Sequence, residues 1–242
     1  MIRTPLAALA LVAALLAQPV RAQDRPAADL EPVDLELVLM ADATGSIDPA
    51  EIALQRRGYA DAMVHPEVLW AIANGGLRGR IAVTYVEWAG LANQDVVVDW
   101  TVVEDEATAA AFGARLMAAP RRAYGTNAIG AALLKGLELI RTNRFEGTRK
   151  VIDLSGDSSW NPVGPPIALA RDIVLGADVV INGLAILCTE CSGRPRFGNL
   201  EQEYTDSIIG GPGAFVVTAD GARNFAWAVR RKLVMEIAGL GP

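Results

Sequence analysis

Between residue 33 and the C-terminus, β-branched and apolar runs alternate with stretches whose apolar residues recur at helical spacing. Leu35–Ala41 reads as an apolar strand. Asp48-Pro49-Ala50-Glu51 then gives a helix start, with Asp as N-cap, Pro in the first turn and Glu at the third position. That helix is expected to run to about Val64, where His65-Pro66 breaks it and a second short helix leads to "NGGLRG". "RIAVTYVEWAG" and "QDVVVDWTVV" are rich in β-branched and aromatic residues and read as a hairpin. Glu106–Ala119 is an Ala-rich helix ended by Pro120. In "GTNAIGAALLKGLELIRTN", Ile129, Leu133, Leu137 and Ile140 share one helical face. "RKVIDLSGD" reads as a strand, Pro166–Gly176 as a helix, "DVVINGLAIL" and "AFVVTAD" as strands, and Gly221–Ala238 as a closing amphipathic helix.

Strands that alternate with helices predict an α/β domain of three layers: a mostly parallel, Rossmann-like central sheet covered by helices on both faces. The apolar runs at Leu35, Val151 and Val179 suit its buried centre, and the hairpin adds one antiparallel edge strand. No internal repeat is present, and residues 33–242 form a single domain.

Composition changes this picture at the ends of the chain and in one loop. The first residues, "MIRTPLAALALVAALLAQPVRAQD", carry Arg3, an apolar stretch from Leu6 to Ala17, and small residues at Val20 and Ala22. This is the pattern of a cleavable signal peptide over residues 1–22, followed by a flexible Pro/Ala/Asp leader over 23–32. The apolar stretch is short for a membrane span. The expected product is therefore exported, periplasmic or secreted, and not integral to a membrane once cleaved. The net charge of −6 becomes −8 when Arg3 and Arg21 are removed. With no basic run or aromatic-basic interleaving, nucleic acid is not expected as a partner. The two cysteines, Cys188 and Cys191, fall in the Gly/Pro/Arg-rich loop "CTECSGRP". For an exported chain this favours a local disulfide over redox catalysis, and two thiolates with one distant histidine do not make a zinc site.

Chemistry concentrates where strands end. Asp42, Thr44 and Ser46 follow the first strand at every second residue; Ser155, Asp157 and Ser158 follow "VIDL"; Thr126 opens a helix after "RRAYG". In an open parallel sheet, ligands bind beyond the carboxyl ends of the strands where the strand order reverses, so these loops should meet there. Of these, Asp42, Asp157, Thr44, Ser46 and Thr126 give two carboxylates and three hydroxyls, with no His or Cys, and suit a hard cation that keeps part of its water shell, Mg²⁺ foremost and Mn²⁺ or Ca²⁺ as alternatives. Hydroxyl ligands leave such an ion electrophilic and open to a carboxylate from a partner, while the carboxylates can act through bound water.

"DATGS" resembles the first motif of the von Willebrand factor type A (VWA) domain, the metal-ion-dependent adhesion site (MIDAS). Thr126 in "YGTNAIGAAL" is similar to that family's isolated threonine, and Asp157 in "LSGDSSWN" to the aspartate closing its fourth strand. "SGDSSWN", "IIGGPGAFV" and "RRKLVMEIA" further resemble a group of exported bacterial proteins with this domain. The resemblance implies a metal held by Asp42, Thr44, Ser46, Thr126 and Asp157, with one coordination position free for an Asp or Glu carboxylate of a protein ligand. Two departures stand out: Gly156-Asp157-Ser158 replaces the family's Thr-Asp-Gly, and Thr44 takes a serine position.

Plainer readings accompany these. Asp42 and Ser46 can serve as turn residues, and Asp48 as a helix cap. Asp153 lies mid-strand, where an ionised carboxylate is costly unless paired, and stands as an alternative to Asp157. Glu87 and Trp88 read as a structural pair, Trp160 and Asn161 as a pocket rim or loop packing, and His65 as a helix-end residue on terminal carbonyls. Gly210-Gly211-Pro212-Gly213 lacks the lysine and helix of a phosphate cradle. Three functions follow: a metal-dependent, adhesion-type binding module with no catalytic residue; a metal-assisted phosphate-ester hydrolase, which lacks a nucleophile-base pair; and a structural envelope protein with an empty site.

Overall fold

A computed structural model of the protein describes residues 30–187 and 199–239. The expected signal peptide, most of the leader, Cys188 and Cys191 lie outside the described residues. Six strands and seven helices are formed among those described. They are β1 (Glu31–Asp42), α1 (Pro49–Met63), α2 (Pro66–Asn74), β2 (Ile81–Trp88), β3 (Gln94–Val103), α3 (Glu106–Ala118) and α4 (Ile129–Thr142). β4 (Phe145–Gly156), α5 (Ile167–Leu175), β5 (Val180–Leu187), α6 (Leu200–Ser207), β6 (Val216–Asp220) and α7 (Gly221–Ala238) complete the order.

The strands form one sheet in the order β3-β2-β1-β4-β5-β6, parallel throughout except for the β2–β3 hairpin at one edge. Alternation along β1 explains the layers. Leu35, Leu37, Leu39 and Ala41 face a core closed by α1, α2, α3 and α7, whereas Val38 and Met40 face one closed by α4, α5 and α6. Burial on both faces makes the central strands nearly all apolar, as expected of parallel strands. The chain moves from β1 to β2 on one side and later to β4 on the other, so the strand order reverses between β1 and β4. The register there, Ala41 opposite Ser155 and Asp42 opposite Trp88, brings the carboxyl ends of β1, β2 and β4 level.

Asp48 caps α1 in the expected capping box: its side chain accepts from the amides of Ala50 and Glu51, and Glu51 Oε2 accepts from the Asp48 amide at 2.7 Å. Two expectations need correction, and one helix is additional to the pattern. β1 begins at Glu31, paired with Phe145, so the last two leader positions belong to the sheet. His65 caps the start of α2, its Nδ1 accepting from the Glu67 amide, instead of holding carbonyls at the end of α1. Proline at the first position of α2 makes position 65 an N-cap, where an acceptor is needed. α6, charged and short, was not anticipated from the pattern; Asn199 caps it by accepting from the Gln202 amide.

Candidate metal site at the carboxyl edge

β1 ends in Asp42, fully buried, and the chain turns at once. The Thr44 amide donates to Asp42 Oδ1 at 2.8 Å, which bends residues 42–46 into a short hook. Thr44 Oγ1 and Ser46 Oγ then stand 3.2 Å apart, and Ser46 Oγ reaches Asp157 Oδ1, beyond the end of β4, at 3.4 Å. Thr44 is buried and Asp157 nearly so, while Ser46 is exposed. The group is thus closed from below and open at one side. Four of the five expected residues converge through side-chain contacts.

Thr126 arrives differently. Gly45 N donates to Gly125 O at 2.8 Å, which docks its loop on the hook, and Thr126 itself is exposed beside that contact. It does not open α4, which starts at Ile129 behind Ala128 with no side-chain cap. Gly125 sits at φ 139°, and a Cβ there would lie 3.0 Å from Gly90 N, so both its conformation and its packing require glycine.

Two residues that motif reasoning passed over hold the hook in place. Arg121 spreads its guanidinium over three carbonyls of this loop, with 2.8 Å to Ala43 O, 3.0 Å to Ile47 O and 3.3 Å to Thr44 O. Gln55 of α1 donates to Asp42 O at 3.0 Å. The signal for Arg121 was faint: an Arg pair after the helix-ending Pro120, five residues ahead of Thr126. Behind them Arg56 forks onto Glu87 at 2.7 and 3.0 Å, both buried, and also donates to the carbonyls of Ala119 and Pro120. This confirms a structural role for Glu87, and Trp88 likewise donates from Nε1 to Ser155 O at 3.1 Å.

Asp42 is the electrostatic centre. Burial first, and then the Asp157 carboxylate, push its carboxyl up to about 7, against hydrogen bonds from Thr44. Its Oδ2 is buried with no hydrogen-bond partner among the described residues. An orphaned carboxylate oxygen beside a second carboxylate and two hydroxyls is a donor set lacking positive charge. It fits a hard divalent cation. No group of three or more His, Cys, Asp or Glu side chains able to hold a metal occurs among the described residues, so such an ion would lean on hydroxyl oxygens. Around the opening, Leu91, Tyr124 and Trp160 are more than half exposed, on the loops after β2, before α4 and after β4. Asn161 points inward instead, accepting from the Gly130 amide at 3.1 Å and donating to Pro165 O.

A family model described as "Protein of unknown function (DUF1194)" matches residues 32–241. The chain belongs to the DUF1194 family. A search of curated proteins found no match. Among solved structures, this DUF1194 chain is similar to the vWF domain of the type V pili tip protein Mfa5 from Porphyromonas gingivalis, with TM-score 0.54 and 10% identity over 87% of this chain and 97% of that one. The pilus adhesin SpaC from Lactobacillus rhamnosus GG aligns at TM-score 0.58 and 14% identity over 86% of this chain and 30% of SpaC. Proximal thread matrix protein 1 from the mussel byssus aligns at TM-score 0.57 and 14% identity over 86% of this chain. The DUF1194 chain spans 48% of that mussel protein. A second structure of the mussel protein, with a zinc-occupied MIDAS motif, aligns at TM-score 0.53 and 16% identity over 83% of this chain and 46% of that one. The domain has the VWA fold, and the hook after β1 lies at the sheet edge where strand order reverses.

Proposed function

We propose that this protein is an exported, metal-dependent binding module of the adhesion type. Asp42, Thr44, Ser46, Thr126 and Asp157 hold a divalent cation, with Mg²⁺ the first candidate. When bound, the ion supplies an electrophilic position for an Asp or Glu carboxylate of a protein partner. The observation that carries this reading is the buried, partnerless Oδ2 of Asp42, set beside Asp157 and the paired hydroxyls of Thr44 and Ser46. A negative cluster of this kind is costly to keep dry without a counter-charge. The mussel protein of the same fold, described with a zinc-occupied MIDAS motif, supports a divalent ion as that counter-charge.

Leu91, Tyr124 and Trp160, exposed on three loops at this edge of the sheet, are apolar surface available to the residues flanking a partner's carboxylate. Export rests on the signal-like residues 1–22, and among the described residues no helix is long and apolar enough to cross a membrane. The chain's single histidine, His65, is engaged at the start of α2, and the reading assigns the site no general base. Calorimetric titration with Mg²⁺, Mn²⁺ and Ca²⁺ tests the proposal. Saturable binding at one site that disappears in Asp42→Ala is expected; equal heats from both proteins would overturn it.

A further inference from the structure

The core between the sheet and α7 holds a second cluster of reactive groups, remote from the hook and independent of the binding proposal. Lys232 of α7 is 1% exposed, and its Nζ stands 2.5 Å from Oδ1 of Asp153 on β4 and 2.5 Å from Oε1 of Glu236 one turn further along. Both carboxylates are closed off from solvent. Phe215 presents its ring 5.9 Å from Nζ, the Tyr59 hydroxyl donates to Asp153 Oδ2 at 3.4 Å, and Asn182 Nδ2 donates to Glu236 Oε1 at 3.1 Å. The ammonium donates to Glu236 Oε1 and stands equally close to Asp153 Oδ1, so it is held between the two carboxylates.

Two carboxylates and one ammonium cannot all stay charged in a dry core at small cost. Burial raises both carboxyls, Glu236 to about 7, with Lys232 opposing the rise at each. One added proton makes the cluster neutral overall. Shifting a second proton across the Lys232–Asp153 contact then leaves an amine, an acid and a second acid, all uncharged, with no exchange with solvent. Water opposes condensation of amines and acids chiefly because both ionise there. Here burial disfavours the ionised form of both acids, and the partners are already in contact, which supplies the proximity that intramolecular reactions exploit.

We propose that Lys232 and Asp153 are joined by an intramolecular isopeptide bond formed with Glu236 as proton carrier. The Nζ lone pair of the neutral amine adds to Asp153 Cγ, forming the C–N bond. Glu236 gives its proton to the departing hydroxyl as the C–O bond breaks, and takes one back from the nitrogen. An amide and one water result, with no change of oxidation state and no co-reactant. The bond would tie central strand β4 to the closing helix, 79 residues later.

Mass spectrometry of the purified full chain, reduced, alkylated and digested with trypsin, tests this. A linked species of residues 151–171 with 232–242 is expected, one water lighter than the two together and uncut after Lys232, because an acylated lysine is not a cleavage site. Lys232→Met and Asp153→Ala should each lose the linked species, and Glu236→Gln, checked for folding by circular dichroism, should leave the two segments separate. Free 151–171 and 233–242 from the wild type, with no linked species, overturn the bond whether or not any variant folds. A water lost within one linear peptide, as at Asp220-Gly221, overturns it equally. Full linkage in Glu236→Gln would overturn the role given to Glu236.

Discussion

Replacing Asp42 by Asn tests the electrostatic core of the binding proposal. The carboxyl stands at about 7 in the fold against 3.8 ordinarily, so between those values the folded state binds a proton that the unfolded chain has released. A raised acid makes stability fall as pH rises from about 4 to about 7 and level off above. At about 1.4 kcal/mol per pKa unit, the full penalty is on the order of 4 kcal/mol above pH 7, an upper figure because a real buried site relaxes and admits water. Asparagine keeps the acceptor for the Thr44 amide and removes the charge. In chelator, urea unfolding from pH 4.5 to 8.5 should show the wild type losing more stability across this window than the variant, which keeps only the fall due to Glu236 and the other raised carboxyls, with the variant the more stable at pH 8. Added Mg²⁺ should narrow that gap: at about 100 times its Kd a cation bound only to the folded state contributes about 2.7 kcal/mol, less than the full penalty, and the variant should gain little. Coincident pH profiles for the two proteins in chelator, or equal stabilisation of both by Mg²⁺, would refute the reasoning.

Three further outcomes follow from the same geometry. Arg121→Ala strips a charged donor from the carbonyls of Ala43, Thr44 and Ile47; thermal unfolding should register a loss of about 2–3 kcal/mol, with weaker Mg²⁺ binding by calorimetry. Gly156→Ala would set a Cβ 2.8 Å from the Tyr204 hydroxyl and 3.0 Å from Asp42 Oδ2; overpacking of about 1–3 kcal/mol is expected in denaturant titrations, together with reduced Mg²⁺ affinity. Arg56→Ala leaves Glu87 buried and unpaired and should cost about 3–5 kcal/mol, whereas the double change Arg56→Met with Glu87→Leu should recover most of it, which a double-mutant cycle of unfolding free energies would measure.

What could be read from the residues was local, and what could not depended on partners far along the chain. The capping box of Asp48 and Glu51, the β2–β3 hairpin and the apolar runs of β1, β4 and β5 each lie within one short continuous stretch of chain, so periodicity and cap chemistry located them. The hook was legible because Asp42, Thr44 and Ser46 are spaced as a turn and sit directly after a strand. His65 was misplaced because a residue between two helices can serve the end of one or the start of the next, and the proline after it decides for the next. Glu36 breaks the apolar reading of β1: it is fully buried and accepts from Gly147 N at 2.7 Å and from Asn143 Nδ2 at 2.5 Å, partners more than a hundred residues away. Lys232 likewise gave no sign in an amphipathic helix that it would meet Asp153.

These distant polar partners share a placement that bears on how the site is kept. Arg56, Arg121 and Gln55 all converge on the loops that follow β1 and α3, and their acceptors are mainly backbone carbonyls. A loop carrying a buried carboxylate is pushed apart by its own charge when the cation is absent; guanidinium groups bound to carbonyls behind the site restrain it without neutralising Asp42, whose carboxyl oxygens they leave alone. A lysine salt-bridged to Asp42 would have relieved that charge. Guanidinium groups placed on the backbone side instead preserve both the hook and its deficit of positive charge, the combination that the proposed metal binding requires.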